Sequence, residues 1–224
     1  MKALIFDSGT LINLSMNGLL DLLATMKKEF NGKFIITKEV KYEVVDRPIG
    51  VYRFELGAMR VQKLIDDGVL EMPSSLSLSE ENIKKETQKL MDIANRSVDV
   101  GGKWVRIVSE AEISCLAVSS ELSEKKIENL IAIDERTTRI LSENPSNLER
   151  MMSEKMHHRV HVVIDNLKPF SKFKFIRSSE IVYVAYKKGL IDLKGKRVLE
   201  ALLYATKFKG AAISFEEINE LKKL

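Results

Sequence analysis

Short apolar runs alternate with longer amphipathic stretches along this chain, and the alternation predicts strands and helices in turn. Residues 2–6 are apolar after the opening lysine and stop at Asp7, with Gly9 close behind, the pattern of a buried strand entering a turn. Within 11–28, Ile12, Met16, Leu19, Leu20 and Leu23 recur at helical spacing and predict one helix. Residues 34–36 form a second buried run, after which Thr37 stands as the cap of a helix over 38–46 that Pro48 and Gly50 end. A helix over 54–65, closed by Asp66-Asp67-Gly68, leads to a strand over 69–72. Ser79 opens a polar helix over 80–95, residues 99–102 read as a loop, and 109–122 form a helix with a small face of Ala111, Cys115, Ala117 and Ser119. Strands at 130–133, 161–164 and 173–176 and helices at 180–188, 195–207 and 215–223 complete the reading. The last helix begins on Ser214-Phe215-Glu216-Glu217, where the serine caps forward and a glutamate reaches back.

This order specifies a three-layer α/β/α fold around a mostly parallel sheet, with a helical C-terminal extension. The length fits one domain: a core over 1–141, an insertion or arm with late strands over 142–177, and a helical part of the same domain over 178–224. In such sheets functional side chains gather at the carboxyl ends of the strands.

Composition narrows the class. With 45% hydrophobic and 30% charged residues and a mean hydropathy of −0.10, the chain can bury a core and is not a disordered tail. No apolar run approaches the roughly 20 residues that a membrane span requires. The opening segment is too short and too soon acidic for a secretion signal, which predicts a cytoplasmic protein. The single cysteine, Cys115, excludes an internal disulfide and a multi-cysteine zinc site. Charge is uneven: residues 150–224 hold 16 Lys/Arg against 8 Asp/Glu, while the rest hold 20 against 24. An acidic first part with a basic second part suits a carboxylate site beside a phosphate-attracting surface, and equally a solvated lysine-rich face.

The acids carry the candidate chemistry. Asp7 and Asp134 each follow a purely apolar strand, so both carboxylates should emerge on one edge of the sheet. Glu39 and Glu43 are four apart and share a helix face, and Glu110 and Glu112 open the helix with the small-residue face. Carboxylates gathered at one edge repel one another unless a cation neutralises them. Mg²⁺ and Mn²⁺ prefer oxygen ligands, keep several waters and can lower the pKa of a bound water beside a phosphoryl group. Plainer roles exist for each acid. Glu112 fits a capping box with Ser109, Glu43 fits an exposed helical glutamate, and one of Asp134 and Glu135 fits a helix starter.

Order and context together resemble the PIN-domain family. Asp7-Ser8-Gly9-Thr10-Leu11-Ile12 is similar to its opening motif, in which the Asp binds metal and a hydroxyl supports it; Ser8 and Thr10 are the matching residues. Val40 and Glu43 resemble the second motif. The run from Ser109 to Ala117 resembles the third, mapping its acid onto Glu112 with Glu110 as auxiliary. Ile133-Asp134-Glu135-Arg136 resembles the fourth, mapping its acid onto Asp134, with Glu135 beside it and Arg136 as a positioning cation. The likeness covers about residues 1–140 and resumes near 178. It implies a Mg²⁺- or Mn²⁺-dependent ribonuclease, an RNA-processing factor or the toxin of a toxin–antitoxin pair, commonly a homodimer with a small antitoxin partner. A catalytically silent RNA-binding or scaffold protein on the same fold is the alternative. A haloacid dehalogenase-type phosphatase is a second, although Gly9 stands where that chemistry requires its general acid.

Outside these motifs, Lys168, Lys172, Lys174 and Arg177 interleave with Phe170, Phe173 and Phe175, a composition suited to nucleic acid. The same spacing also fits a strand that buries its phenylalanines. Trp104 reads as core or interface, and Gly101-Gly102-Lys103 is too short for a phosphate-binding P-loop.

Overall fold

The computed structural model describes residues 1–195 and 197–224. Five parallel strands form the central sheet: β1 (Lys2–Phe6), β2 (Gly32–Ile35), β3 (Leu70–Glu71), β6 (Glu128–Ala132) and β8 (Phe175–Ile176), in the order β3-β2-β1-β6-β8. Helices cover both faces, giving a three-layer α/β/α fold. Right-handed crossovers place α1 (Ser8–Met16), α2 (Asp21–Glu29) and α4 (Glu55–Asp66) on one face. The return from β3 to β6 puts α5 (Glu80–Asn95) and α6 (Glu110–Glu124) on the other.

The helix predicted over 11–28 is two helices. Gly18 takes the left-handed conformation (φ 70°) and Asn17 folds back to bond Asn13, so the chain turns between α1 and α2. The helix predicted over 38–46 is α3 (Lys38–Lys41), capped by Thr37 as expected, running into a π-helical turn over Tyr42–Asp46. Such turns are frequent at functional sites, and this one carries Glu43. The expected loop over 99–102 is the tip of a hairpin, β4 (Val98–Val100) with β5 (Lys103–Trp104), which closes through Gly101 and Gly102 at φ 60° and 82°. The strand predicted over 161–164 is β7 (Val160–Val162). It pairs antiparallel with β4 in a side sheet and does not join the central one. Trp104, expected in the core or an interface, is exposed on β5.

β1 and β6 are the centre of the core. Ile5, Phe6, Ile131 and Ala132 are fully buried, and Phe6 meets Phe34 edge-on at 5.3 Å between centroids. The small face of α6 lies against this pair, close enough that the Cys115 thiol donates to the Phe6 carbonyl at 3.6 Å. Between Ala132 and the C-terminal end come α7 (Arg136–Glu143), α8 (Leu148–Met156), β7 and β8; Leu148, Leu167 and Phe170 from this stretch are buried in the same core. The helical end consists of α9 (Ser178–Lys187), α10 (Val198–Phe208) and α11 (Phe215–Leu221), the last opened by the Ser214–Glu217 capping box. No helix among the described residues is long and apolar enough to cross a membrane.

From β1 the chain winds outward through β2 to β3, then returns to β6 on the other side of β1. Strand order therefore reverses between β1 and β6, and in open α/β sheets ligands bind outside the carboxyl ends of the strands at such a point.

Candidate acidic site at the strand ends

Asp7 follows β1 at this reversal. It is 2% exposed and caps α1, its Oδ2 accepting from the Gly9 N–H at 3.0 Å, while Oδ1 is buried with no hydrogen-bond partner. Its backbone N–H donates to the Ala132 carbonyl at 2.9 Å, which locks the end of β1 to that of β6. Burial, then the negative charge of Glu112, and more weakly that of Glu43, push the Asp7 carboxyl from 3.8 up to about 7, against opposing hydrogen bonds from Gly9 and Ser8. Most buried polar groups find a partner, and one that does not calls for an explanation. An unsatisfied buried carboxyl oxygen on a group that feels the charge of two other acids is the chemistry a cation would relieve.

Glu43 and Glu112 are held by hydroxyl groups. The Ser8 hydroxyl donates to Glu43 Oε2 at 2.6 Å. Glu112 Oε2 accepts from the Ser109 N–H at 3.0 Å, closing the expected capping box, and from the Thr138 hydroxyl at 2.7 Å. Glu112 thus serves as the cap read for it, and its charge bears on Asp7. Burial raises its carboxyl most, with Glu135 and Glu43 adding to the rise and Thr138 and Ser109 opposing it. Thr37 ties these elements together: its side chain caps α3 through the Val40 N–H at 3.1 Å and meets the Ser114 hydroxyl on α6 at 2.7 Å.

The structure does not treat Asp134 like the others. Its carboxyl is 3% exposed, and both oxygens are committed within the fold, Oδ1 to the Ser178 N–H at 2.8 Å and Oδ2 to the Asn13 amide at 3.0 Å. Burial raises its pKa, and these bonds hold it back. Asp134 therefore pins α1 and the start of α9 to the end of β6. Of the adjoining acid pair, Glu135 is the one whose charge bears on Glu112, and it caps α7 through the Thr138 N–H at 2.9 Å. Replacing Asp134 by Asn would turn an amide N–H₂ toward one of two donors, at a cost of about 1–3 kcal/mol. Chemical denaturation measures this; a variant as stable as wild type would refute the pinning role.

Of the other nominated residues, Thr10 is buried with its hydroxyl unpaired, and Glu110 and Arg136 are exposed. Lys168, Lys172 and Lys174 are exposed, but Phe170 and Phe173 are buried in the core, and the strand predicted over 173–176 is only β8, Phe175–Ile176. Arg177 is buried and faces inward, bonded to Glu180 and Glu217 at 2.7 Å each. The supporting residues that pattern reading missed are Thr138, Asn13 and Ser114. The one signal for Asn13 is an amide one turn after Thr10 on an otherwise apolar helix.

Among the described residues, no group of three or more His, Cys, Asp or Glu side chains is placed to hold a metal ion. Asp7, Glu43 and Glu112 are all oxygen donors, the charges of Glu43 and Glu112 bear on Asp7, and Asp7 keeps one oxygen unpaired. The chain matches no protein-family model, no curated protein and no solved structure.

Proposed function

We propose that this chain is a divalent-metal-dependent ribonuclease that works at the carboxyl ends of β1 and β6. The observation that carries the reading is Asp7: a buried carboxyl at the strand-order reversal, raised to about 7 by burial and two neighbouring acids, with an oxygen left unpaired. Asp7, Glu43 and Glu112 are the residues that would hold Mg²⁺ or Mn²⁺, with Glu135 at the margin. Such an ion supplies Lewis-acid stabilisation of phosphoryl charge and a more acidic water. The protein's own residues do the positioning. Ser8 fixes the Glu43 carboxylate, Thr138 fixes that of Glu112, and exposed Arg136, next to Glu135, is placed to meet a phosphate.

The test is cleavage of a labelled single-stranded RNA with Mn²⁺ or Mg²⁺, with and without chelator. Activity that needs the ion and falls by orders of magnitude in Glu112→Gln supports the reading. Thr138→Val should lower the rate less, about tenfold, by removing one of the two donors that hold Glu112 Oε2. Chelator-resistant cleavage, or none by pure wild-type protein, would count against it and favour the silent RNA-binding alternative.

Beside Glu43 lies an apolar cleft of about 680 Å³ lined by Ile12, Met16, Val51, Phe54 and Leu56, each of them substantially exposed. Exposed apolar surface of this kind marks protein–protein contact and supports a second copy or a small inhibitory protein covering the site. Sedimentation velocity at high micromolar concentration should detect a dimer that Leu56→Glu weakens; a monomer throughout would remove the homodimer.

A further inference from the structure

A second groove, of about 670 Å³, opens on the other side of Glu135, between the start of α7 and the α10–α11 turn. Its floor is tied to the acidic site, because the Ala212 N–H donates to the Asp134 carbonyl at 3.2 Å. Three aromatic rings meet at its far end. Tyr204 lies 6.1 Å from Phe208, nearly parallel at 20°, and 6.0 Å from Phe215. The two phenylalanines line the groove, Phe208 at 72% exposure and Phe215 at 49%. Rings this exposed add little to the core, so the fold itself gives no reason for them.

The charges complement the rings. Arg139 is satisfied by Glu143 at 3.0 Å and Arg177 by Glu217 at 2.7 Å. Among the described residues, Arg136 and Lys207 form no ion pair, which leaves two cations in the groove against one carboxylate, Glu216. The Lys207 ammonium sits 4.4 Å from the Phe215 ring centroid and is held by the Ile213 carbonyl, so it is a fixed cation over one face of that ring. Exposed rings, each with one face covered from within the fold, beside a fixed cation suit an unpaired polynucleotide, whose bases stack on the outer faces while its phosphates meet the cations. A duplex keeps its bases stacked on one another and cannot use such a platform.

We infer that this groove binds single-stranded RNA, with bases stacked on Phe208 and Phe215 and the backbone held by Lys207 and Arg136, and leads the strand toward the carboxylates. The choice of RNA rests on the proposed nuclease reading; the platform does not. It also moves the nucleic-acid surface away from the Lys168–Arg177 stretch considered from sequence.

The probe is a fluorescent single-stranded RNA of about a dozen nucleotides, titrated by anisotropy without divalent metal into the full chain. Phe208→Ala and Phe215→Ala should each weaken binding about tenfold or more. Arg136→Ala should weaken it and reduce the salt slope by about one. Trp104→Ala, an exposed ring outside the groove, should leave it unchanged, and duplex RNA should bind more weakly than the single strand. Groove variants that bind like wild type, or no binding of the single strand at all, would overturn the inference. Hydrolysis of a small phosphodiester with Mn²⁺, followed in parallel, tests the acids alone. Binding through the groove without hydrolysis would sink the nuclease reading and leave the groove standing; hydrolysis with groove-independent RNA binding would do the reverse.

Discussion

Asp7→Asn is expected to abolish RNA cleavage and, in the same protein, to stabilise the fold at pH 8. The two effects share one cause. In the folded chain the Asp7 carboxyl ionises near 7, whereas its ordinary value is 3.8. A carboxyl whose pKa is raised by folding holds its proton more tightly in the native state. Its favourable contribution is complete below about 3.8 and is lost as the pH rises through about 7. The gap corresponds to at most about 4 kcal/mol. Wild-type protein in chelator should therefore lose stability between pH 5 and pH 8, and the neutral Asn side chain should flatten that part of the profile. Adding Mn²⁺ at pH 8 should restore the wild type and leave the variant unmoved, because a ligand that binds only the native state stabilises it. Denaturation curves at the two pH values check all of this. Parallel profiles for wild type and variant would mean that the carboxyl is not strained in the way its surroundings imply.

The second large effect belongs to Arg177. Its guanidinium reaches Glu180, Glu217 and the Ala212 carbonyl, and its backbone N–H donates to Glu180 Oε2 at 2.7 Å. One side chain thereby joins the start of α9, the turn after α10 and the first turn of α11. Arg177→Met would leave two carboxylates without their shared cation, and the Ala212 carbonyl with only the longer 3.4 Å bond from Arg139. Breaking a buried ion pair on one side costs about 3–5 kcal/mol. The partly exposed Glu180 and Glu217 can rehydrate, which places the expected loss near 3 kcal/mol, the lower end. Arg177→Lys should recover little, since an ammonium cannot span both carboxylates. A measured loss below about 1 kcal/mol would show that the clamp is incidental.

The legible parts of this fold were those written in local pattern. Residues 3–6 form an unbroken apolar run ending at an acid, and the strand is where that run predicts it. Thr37, Ser79, Ser109 and Ser214 each precede a helix and each caps it through its side chain. What pattern could not supply was partnership across distance. Asp7 and Asp134 look alike in sequence, each an acid after a buried strand. Only the packing of Asn13 and the start of α9 against Asp134 separates an anchored carboxylate from a free one. The alternation at 172–175 likewise fits either a stacking platform or a strand that buries its phenylalanines; burial of Phe173 removes the first, and the strand itself is only Phe175–Ile176. Gly18 broke a helix whose apolar spacing ran straight through it, because periodicity records which face is buried and not where the backbone turns.

The reversal of strand order beside β1 also governs when this protein can act. Asp7 is made early, but β6, the strand on its other side, begins at Glu128, and Glu135 and Thr138 come later still. A chain still on the ribosome with fewer residues exposed has β1 paired on one side only, and Asp7, Glu43 and Glu112 lack both the strand that locks the end of β1 and the Thr138 hydroxyl that holds Glu112. Closing a loop of this length is slow compared with forming local helices. If the acids cut RNA, that delay keeps a half-made copy harmless to the message that encodes it.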